Sequence, residues 1–315
     1  MILVVSHPAD DHARGVLDAL SRAGHPAAML DTAAFPRGAS IAQRFDADGA
    51  SFSYRADGQT IDLDACRAAW WRRPQQYTLH DGLDSAAAEF AYTECHEAIA
   101  GLWPALRAVW VNRPELDEVA HHKPYQLAVA RTVGLPIPRT VITNDPAVAR
   151  EFVAAVGLDR TVYKTFLATE RHWRETRILR HEEEPMLDQV RLAPVIFQEF
   201  VDGDCDVRAT VIGDRIIAAA ITAPAGGYGA DYRMEMETAC FEPVDLPART
   251  ERGILELMRR LGLIYGAVDL RRTPAGEYIF LEINPAGEWR FVEERTGQPI
   301  TDAVAQLLAA LDDSG

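Results

Sequence analysis

The sequence predicts an α/β protein built from two or three subdomains, on three observations. Residues 1–112 alternate short apolar strands with helical stretches, the pattern of a small open α/β unit. Residues 195–285 instead hold apolar runs joined by turn dipeptides, the pattern of antiparallel hairpins. A chain of 315 residues also exceeds what one ordinary core organises.

Ile2–Val5 is apolar and has no basic segment before it, so it reads as a first strand rather than a targeting signal. Arg14–Ala23 has helical spacing and stops at Gly24, and Ala28–Leu30 is the next strand. Polar and apolar positions alternate over 41–63 and break at Asp48-Gly49 and Asp57-Gly58, both hairpin turns. Ala68–Arg73 is a strand running into Pro74, Ser85–Leu102 a long helix, and Val109–Val111 a closing strand, which completes an N-terminal unit over 1–113. A central unit over 114–194 opens with a helix at Leu116–Val133 that carries Lys123 and stops at Gly134-Leu135-Pro136. A strand at Thr140–Thr143, a helix from Asn144-Asp145-Pro146 to Val156, a strand at 162–164 and a charged loop or hairpin at 167–185 follow. The C-terminal unit, 195–315, begins with a strand at Val195–Val201 and a hairpin around Gly213-Asp214. A Gly-rich loop at 225–230, a helix at Glu251–Leu261, a second hairpin and a helix at Ile300–Leu311 complete the chain.

With 48% hydrophobic and 25% charged residues the composition is that of a globular protein, and no apolar run approaches the roughly 20 residues that span a bilayer. No membrane partner is therefore expected. A net charge of −15 argues against a nucleic-acid surface, which needs a basic face. Cys66, Cys95, Cys205 and Cys240 are scattered, without Cys-x-x-Cys or zinc-ligand spacing, and read as inert thiols of a cytoplasmic chain. Of 32 basic residues only Lys123 and Lys164 are lysine. A chain that uses arginine elsewhere keeps lysine where a compact ammonium is needed, as against a phosphate oxygen in a tight site.

The strongest constellation runs from Tyr265 to Pro285. Pro274-Ala275-Gly276 is a turn signal between two apolar runs. A hairpin centred on Ala275-Gly276 sets Asp269 opposite Glu282, with Asn284 on the same face opposing the small Ala267 and with Phe280 as cover beside Glu282. Two carboxylates and an amide oxygen converging there suit a hard cation such as Mg²⁺, completed by water and phosphate oxygens; a solvated hairpin face is the alternative. In a second cluster, Gln198-Glu199-Phe200-Val201 ends a strand whose free backbone edges suit a purine. Asp206 is placed for a ribose hydroxyl and Arg208 for a phosphate or developing charge, against the alternative of a surface Asp–Arg pair. Arg233, delivered by the Gly-rich loop, is a candidate phosphate clamp. Trp70-Trp71-Arg72-Arg73-Pro74 either binds a carboxylate through Arg72 and Arg73 or packs its tryptophans in the core. Arg171-His172-Trp173-Arg174, with Arg177 and Arg180, is either a dock for an acidic partner or a solvated loop. No Gly-x-Ser-x-Gly elbow, Walker lysine loop, His-Glu-x-x-His helix or early Gly-x-Gly-x-x-Gly turn is present, which sets aside serine-hydrolase and dinucleotide chemistries.

The ordered set of two lysines, Gln-Glu-Phe-Val, Asp-x-Arg and Asp…Glu-x-Asn resembles the ATP-grasp superfamily. Finer details resemble its ribosomal-peptide maturase branch, the microviridin-type and actinobacterial ω-ester (graspetide) cyclases: Trp71-Arg72-Arg73-Pro74, Asn112-Arg113-Pro114, His122–Leu127, Ile142–Pro146, Val162-Tyr163-Lys164 and Asn284–Trp289. The resemblance implies an ATP-grasp fold with ATP between the central and C-terminal units. Lys123 and Lys164 would hold phosphates, Glu199, Phe200 and Val201 would frame the adenine with Gln198 also binding the cofactor, and Asp206 would meet the ribose. Asp269, Glu282 and Asn284 would hold Mg²⁺, while Arg208 and Arg233 would steady the reacting phosphate. Arg72, Arg73, Arg171 and Arg174 are candidate substrate contacts. It further implies a precursor peptide with leader and core segments as substrate, and a homodimer. The implied reaction is phosphorylation of an Asp or Glu side chain, followed by attack of a hydroxyl or amine within the same peptide. The competing reading is a ligase joining free amino acids or small acids to an amine. Three features depart from the resemblance: no glycine follows Lys164 until Gly203, His122 stands where the family often carries Asn, and Tyr232 stands where the peptide cyclases often carry Trp.

Overall fold

The computed structural model describes residues 1–166, 176–224, 234 and 236–314. β1 (Ile2–Val5) is buried along its whole length, as expected of an unbroken apolar run in a parallel sheet covered on both faces. It lies between β2 (Ala27–Leu30) and β6 (Ala68–Trp71), and β7 (Val109–Val111) extends the parallel sheet beyond β6. Asp10 caps α1 (Asp11–Arg22) by accepting from the His12 and Ala13 N–H groups. β3 (Ala39–Asp46), β4 (Gly49–Ala56) and β5 (Gln59–Asp62) form a separate antiparallel meander, turned at the two Asp-Gly pairs. Leu3 and Val5 share a core with this meander and α2 (Ser85–Ala105), while Ile2 and Val4 face α1 and the C-terminal helix.

The expected helix at Leu116–Val133 is two helices, α3 (Pro114–Ala120) and α4 (Lys123–Thr132). Pro124 has no N–H to give the Ala120 carbonyl, so the helix restarts and the Gln126 side chain takes that carbonyl instead. Both helices pack on the C-terminal sheet, with Ala120 and Ala130 in its core. The central sheet is antiparallel, in the order β10 (Arg177–Ile178), β9 (Thr161–Lys164), β11 (Val195–Glu199), β8 (Thr140–Thr143). α5 (Pro146–Val156) and 3₁₀ turns at His181–Leu192 cover one face through Ala149, Val153, Leu187 and Val190.

Five antiparallel strands form the C-terminal sheet: β14 (Cys240–Pro243), β13 (Arg215–Thr222), β12 (Cys205–Ile212), β15 (Tyr265–Arg272) and β16 (Tyr278–Asn284), in that order. α6 (Ala248–Leu261) packs on one face. α7 (Arg290–Thr296) and α8 (Ile300–Ser314) return the chain to the N-terminal unit, where Trp289, Ile300 and Leu308 share a core with Ile2, Val4 and Trp70. β14 and α7 carry no distinct signal among the elements expected from sequence.

The β15–β16 hairpin differs from expectation in a way that matters at the site. Its turn spans Thr273–Glu277, closed by hydrogen bonds between those two residues and from the Gly276 N–H to the Thr273 carbonyl. Near the turn Arg272 therefore pairs with Tyr278 and Leu270 with Phe280, one residue off the expected register. A bulge at Leu281 restores it, so Asp269 does face Glu282 and Ala267 faces Asn284. The bulge also turns Phe280 to the opposite face, where it packs with Leu270 and Ile283; the expectation that Phe280 covers Glu282 is corrected.

Candidate active site

The register of three strands places Arg208, Asp269 and Glu282 in one row across β12, β15 and β16. All three lie on the face away from the α6 core, whose strand residues include Val207, Ala209, Val268, Leu270 and Ile283. The Arg208 Nη1 donates to both Asp269 oxygens, at 2.9 and 2.8 Å. Lys123 is ion-paired with Glu282. The lysine reaches that row because Gln126, one helical turn later, clamps β16. Its Nε2 donates to the Ile283 carbonyl at 2.8 Å and its Oε1 accepts from the Ile283 N–H at 3.1 Å. The amide completes the edge strand as a further strand would, and sets Lys123 in the first turn of α4, where the helix adds partial positive charge.

The segment after Asn284 is held by its carbonyls. Asn112 donates to the Pro285 carbonyl (3.2 Å), Arg72 to those of Ala286 (2.6 Å) and Gly287 (3.1 Å), Tyr265 to that of Gly287 (2.7 Å), and Arg208 to that of Glu288 (3.0 Å). Four consecutive carbonyls are thus fixed by four side chains from separate segments of the chain. Asn284 Oδ1 accepts from the Ala286 N–H at 3.0 Å, and Asn112 Oδ1 accepts from the N–H groups of Ile264 and Tyr265 at the start of β15. Beneath Asn112, burial raises the Asp117 carboxyl to about 6 despite the His121 ring and the Asn112 amide.

Arg72 is not placed to meet a substrate. Its side chain is fully buried, paired with Asp10 at 3.2 Å and set over the rings of Trp70 and Trp289 at 5.7 and 5.1 Å. Asp10 accepts a further bond from Ser6 at 2.7 Å, and Arg72 and these contacts hold its carboxyl below the usual range against the cost of burial. Arg73 is part-exposed and pairs with Glu288 at 2.7 Å. The two tryptophans divide as the packing alternative expects: Trp70 is buried, and Trp71 meets Trp103 and Trp110 edge-on.

In the central sheet, Lys164 Nζ donates to Gln198 Oε1 at 3.1 Å, and Gln198 Nε2 donates to Thr140 Oγ1 at 2.9 Å. The backbone after β11 is less open than expected for a purine edge. The Glu199 N–H bonds the Arg139 carbonyl, the Phe200 N–H the Arg160 carbonyl, and the Phe200 carbonyl accepts from Arg160 Nη2 at 3.0 Å. Val201 gives its carbonyl to Arg271 Nη1 at 3.3 Å. Asp206, one row from Arg208 on the same face, is held by a two-pronged bond from Arg271, both contacts at 2.8 Å. Arg160 and Arg271 also lie over the Phe200 ring, at 5.7 and 5.6 Å.

The structure thus gathers Lys123, Arg208, Asp269 and Glu282 into two neighbouring ion pairs, with Asn284 one row away. Lys164 and Gln198 form a second small group, and Phe200, Val201 and Asp206 a third around Arg271. Arg233, Arg171 and Arg174 lie outside the described residues, as does the Gly-rich loop. Among the described residues no three His, Cys, Asp or Glu side chains gather as a metal site. The donor set still fits Mg²⁺, which takes one or two carboxylates and completes its shell with water and phosphate. Asp269 and Glu282 offer facing anionic oxygens, each already matched to a cation of the chain. Gln126, Asn112, Tyr265 and Arg271 were not marked as site residues by sequence reasoning; their roles rest on backbone carbonyls and register that motifs do not carry.

Comparison with known proteins accords with this geometry. Residues 1–118 match the MvdD pre-ATP grasp domain and residues 120–311 the RimK-like ATP-grasp domain. Curated relatives include a probable alpha-L-glutamate ligase of Klebsiella pneumoniae (strain 342), 25% identical over 68% of this chain and 69% of its own length. Another is the probable alpha-L-glutamate ligase 2 of Shewanella amazonensis (strain ATCC BAA-1098 / SB2B), 24% identical over 59% of this chain, and spanned over only 62% of its own length. Among solved structures, the macrocyclase MdnC of Microcystis aeruginosa MRC, bound with precursor peptide MdnA, is 30% identical with a TM-score of 0.87, over 98% of this chain and 99% of MdnC. The macrocyclase MdnB of the same organism is 28% identical with a TM-score of 0.82, covering 98% of both chains. The ATP-grasp ligase PsnB, complexed with a minimal precursor variant, Mg and ADP, is 27% identical with a TM-score of 0.80, over 99% of this chain and 98% of PsnB. Among the described residues no helix is long and apolar enough to cross a membrane. The chain belongs to the RimK-like ATP-grasp family, in the branch that holds the ribosomal-peptide macrocyclases.

Proposed function

We propose that this protein is an ATP- and Mg²⁺-dependent ligase that activates Asp or Glu side chains of a ribosomally made precursor peptide as acyl phosphates and closes them into intramolecular esters or amides. The observation that carries the reading is the row Arg208–Asp269–Glu282 with Lys123 paired to its end, in a chain similar along its whole length to peptide macrocyclases. Asp269, Glu282 and Asn284 would hold Mg²⁺. Lys123 and Lys164 would hold phosphate oxygens, and Gln198, Glu199, Phe200, Val201 and Asp206 would line the nucleotide. When bound, ATP supplies the phosphoryl group and Mg²⁺ the charge that neutralises it.

The chain's own part is positioning and charge. Arg208 is fixed at both ends, by Asp269 and by the Glu288 carbonyl, and presents a guanidinium where negative charge develops. Arg233 is assigned a parallel role by its motif. Lys123, paired here with Glu282, would hold a phosphate oxygen where Glu282 holds Mg²⁺. Binding the nucleophile and the acyl carbon of one peptide in one site makes closure effectively unimolecular. The substrate is a precursor peptide with leader and core segments, the protein acts as a homodimer in the cytoplasm, and no nucleic acid takes part.

A second reading, a ligase that joins free amino acids or small acids to an amine, is favoured by the sequence relatives named alpha-L-glutamate ligases. Intact-mass spectrometry separates the two. A short Thr/Asp- or Ser/Glu-rich peptide encoded beside the gene is incubated with the protein, ATP and Mg²⁺. Loss of one water per event, with ADP formed in step, is the expected result. A gain equal to a second substrate's mass less one water establishes the other ligase, and absence of ADP with every peptide and acid offered overturns both.

A further inference from the structure

We infer that an aromatic cavity beside α2 is a subsite for a positively charged side chain of the peptide substrate; this rests on the peptide-ligase reading above. The cavity has a volume of about 670 Å³ and lies between α2, the segment after β6, and α3. Trp71, Tyr77, Tyr92 and Trp103 supply one side of it. Tyr77 and Tyr92 pack tilted at 5.5 Å between centroids, and Trp71 meets Trp103 edge-on at 5.5 Å, so the rings brace one another as a wall. Glu115 and Glu118 line the α3 side. Glu115 is paired outward with Arg113, which does not line the cavity, while Glu118 is exposed.

Ring faces attract cations, carboxylates add to that attraction, and among the described residues the cavity is lined by His96, stacked on Tyr92 at 6.4 Å, but by no lysine or arginine, although nearly all 32 Lys and Arg residues of the chain are arginine. Both walls therefore select the same ligand chemistry, a compact cation on an apolar stem. The cavity shares the Glu118 side chain with a second one that Lys123 lines. That second cavity has a volume of about 360 Å³, and its walls include Phe166. A peptide crossing α3 can seat a lysine or arginine among the rings while presenting a carboxylate toward the row at Arg208 and Asp269. That shared wall beside Lys123 favours a residue of the substrate over a segment of a second copy of the chain.

The test uses the full chain without ATP or Mg²⁺ and two probes, acetyl-Ala-Lys-Ala-amide and its uncharged counterpart with norleucine at the centre. Binding is read by tryptophan fluorescence and ligand-observed NMR. The expected result is saturable binding of the lysine probe, about fivefold or more tighter than the norleucine probe, and weakened by a similar factor in both Y92A and E118Q. Tyr92 and Glu118 are exposed, so neither variant threatens the fold. Equal affinity for the two probes, unchanged affinity in both variants, or no saturable binding of either probe overturns the subsite. A Y92A variant that turns monomeric from a dimeric parent, with no preference for the lysine probe, overturns it in favour of a second copy. Failure of the ligase reading is seen separately, as absence of ADP formation in a protein that still binds the lysine probe.

Discussion

Lys123 and Glu282 stand 159 residues apart and are ion-paired on the open face of the C-terminal sheet. Neither residue reaches the other by its own element alone. Pro124 breaks the preceding helix so that Lys123 begins α4, Gln126 then docks α4 on β16, and the bulge at Leu281 turns Glu282 to the same face as Asp269. Replacing Glu282 by Gln keeps shape and removes the charge that both Lys123 and a divalent metal require. Glu282→Gln is expected to lower ATP-dependent ADP formation by about 100-fold or more, with far-UV circular dichroism unchanged. Normal turnover in that variant refutes the metal assignment.

Gly287 is demanded by close approach rather than by backbone angle. A Cβ there would stand 2.3 Å from the Ala267 Cβ and 2.9 Å from Arg208 Nη2. Gly287→Ala therefore has to push the held segment away from β15 and displace Arg208 from the Glu288 carbonyl. The expected cost is about 1–3 kcal/mol of stability, read by urea unfolding, together with a drop in ADP formation. Adding Ala267→Gly removes the first clash and leaves the second. The double variant should regain stability while activity stays low.

Arg72 joins the N-terminal unit to the segment that follows the candidate metal residues, and does so as a buried charge. Arg72→Met leaves the Asp10 carboxylate buried without its cation and frees the Ala286 carbonyl, so it should destabilise by about 3–5 kcal/mol. Asp10→Asn keeps the cap on α1, since asparagine caps as well as aspartate. The Arg72→Met/Asp10→Asn pair is then expected to be more stable than Arg72→Met alone, which a double-mutant cycle measures. Additive losses would show that the two side chains do not act as a pair.

Much of this site was legible in the sequence because its chemistry sits on strands, where spacing of two fixes the face. Asp269, Glu282 and Asn284 share a face by counting alone. The count succeeded through two offsetting departures, an odd-length turn and a bulge at Leu281, and the bulge is what misplaced Phe280. The scarcity of lysine marked Lys123, but its partner was hidden. An ion pair across 159 residues depends on helix docking, and that docking runs through the backbone of Ile283. Arg72 was read in the wrong sense for a similar reason. Beside two tryptophans at a strand end it looked like a ligand-binding arginine, whereas its acceptors are the buried Asp10 carboxylate and two carbonyls more than 200 residues away. Carbonyls are present at every position, so no motif announces which ones a buried guanidinium will take.

His12 gives the protein a pH dependence of defined sign. Burial and the neighbouring Arg72 guanidinium depress its ring to about 4, against an ordinary 6.5, and it packs neutral on Trp289 at 4.5 Å. Its contribution is therefore fully present above pH 6.5 and is lost as the pH falls from there through about 4, because the unfolded chain takes a proton that the folded one refuses. The loss amounts to something on the order of 3 kcal/mol. Asp117 works in the opposite sense: with its carboxyl raised to about 6, its share of stability is present below 3.8 and is lost as the pH rises through 6. The two partly cancel in the parent between pH 4 and 6, so the measurement is a difference. Urea unfolding of the parent and of His12→Gln at several pH values should show the gap between them narrowing steadily from pH 6.5 to 4. A constant gap over that range would mean that His12 titrates normally in the folded protein.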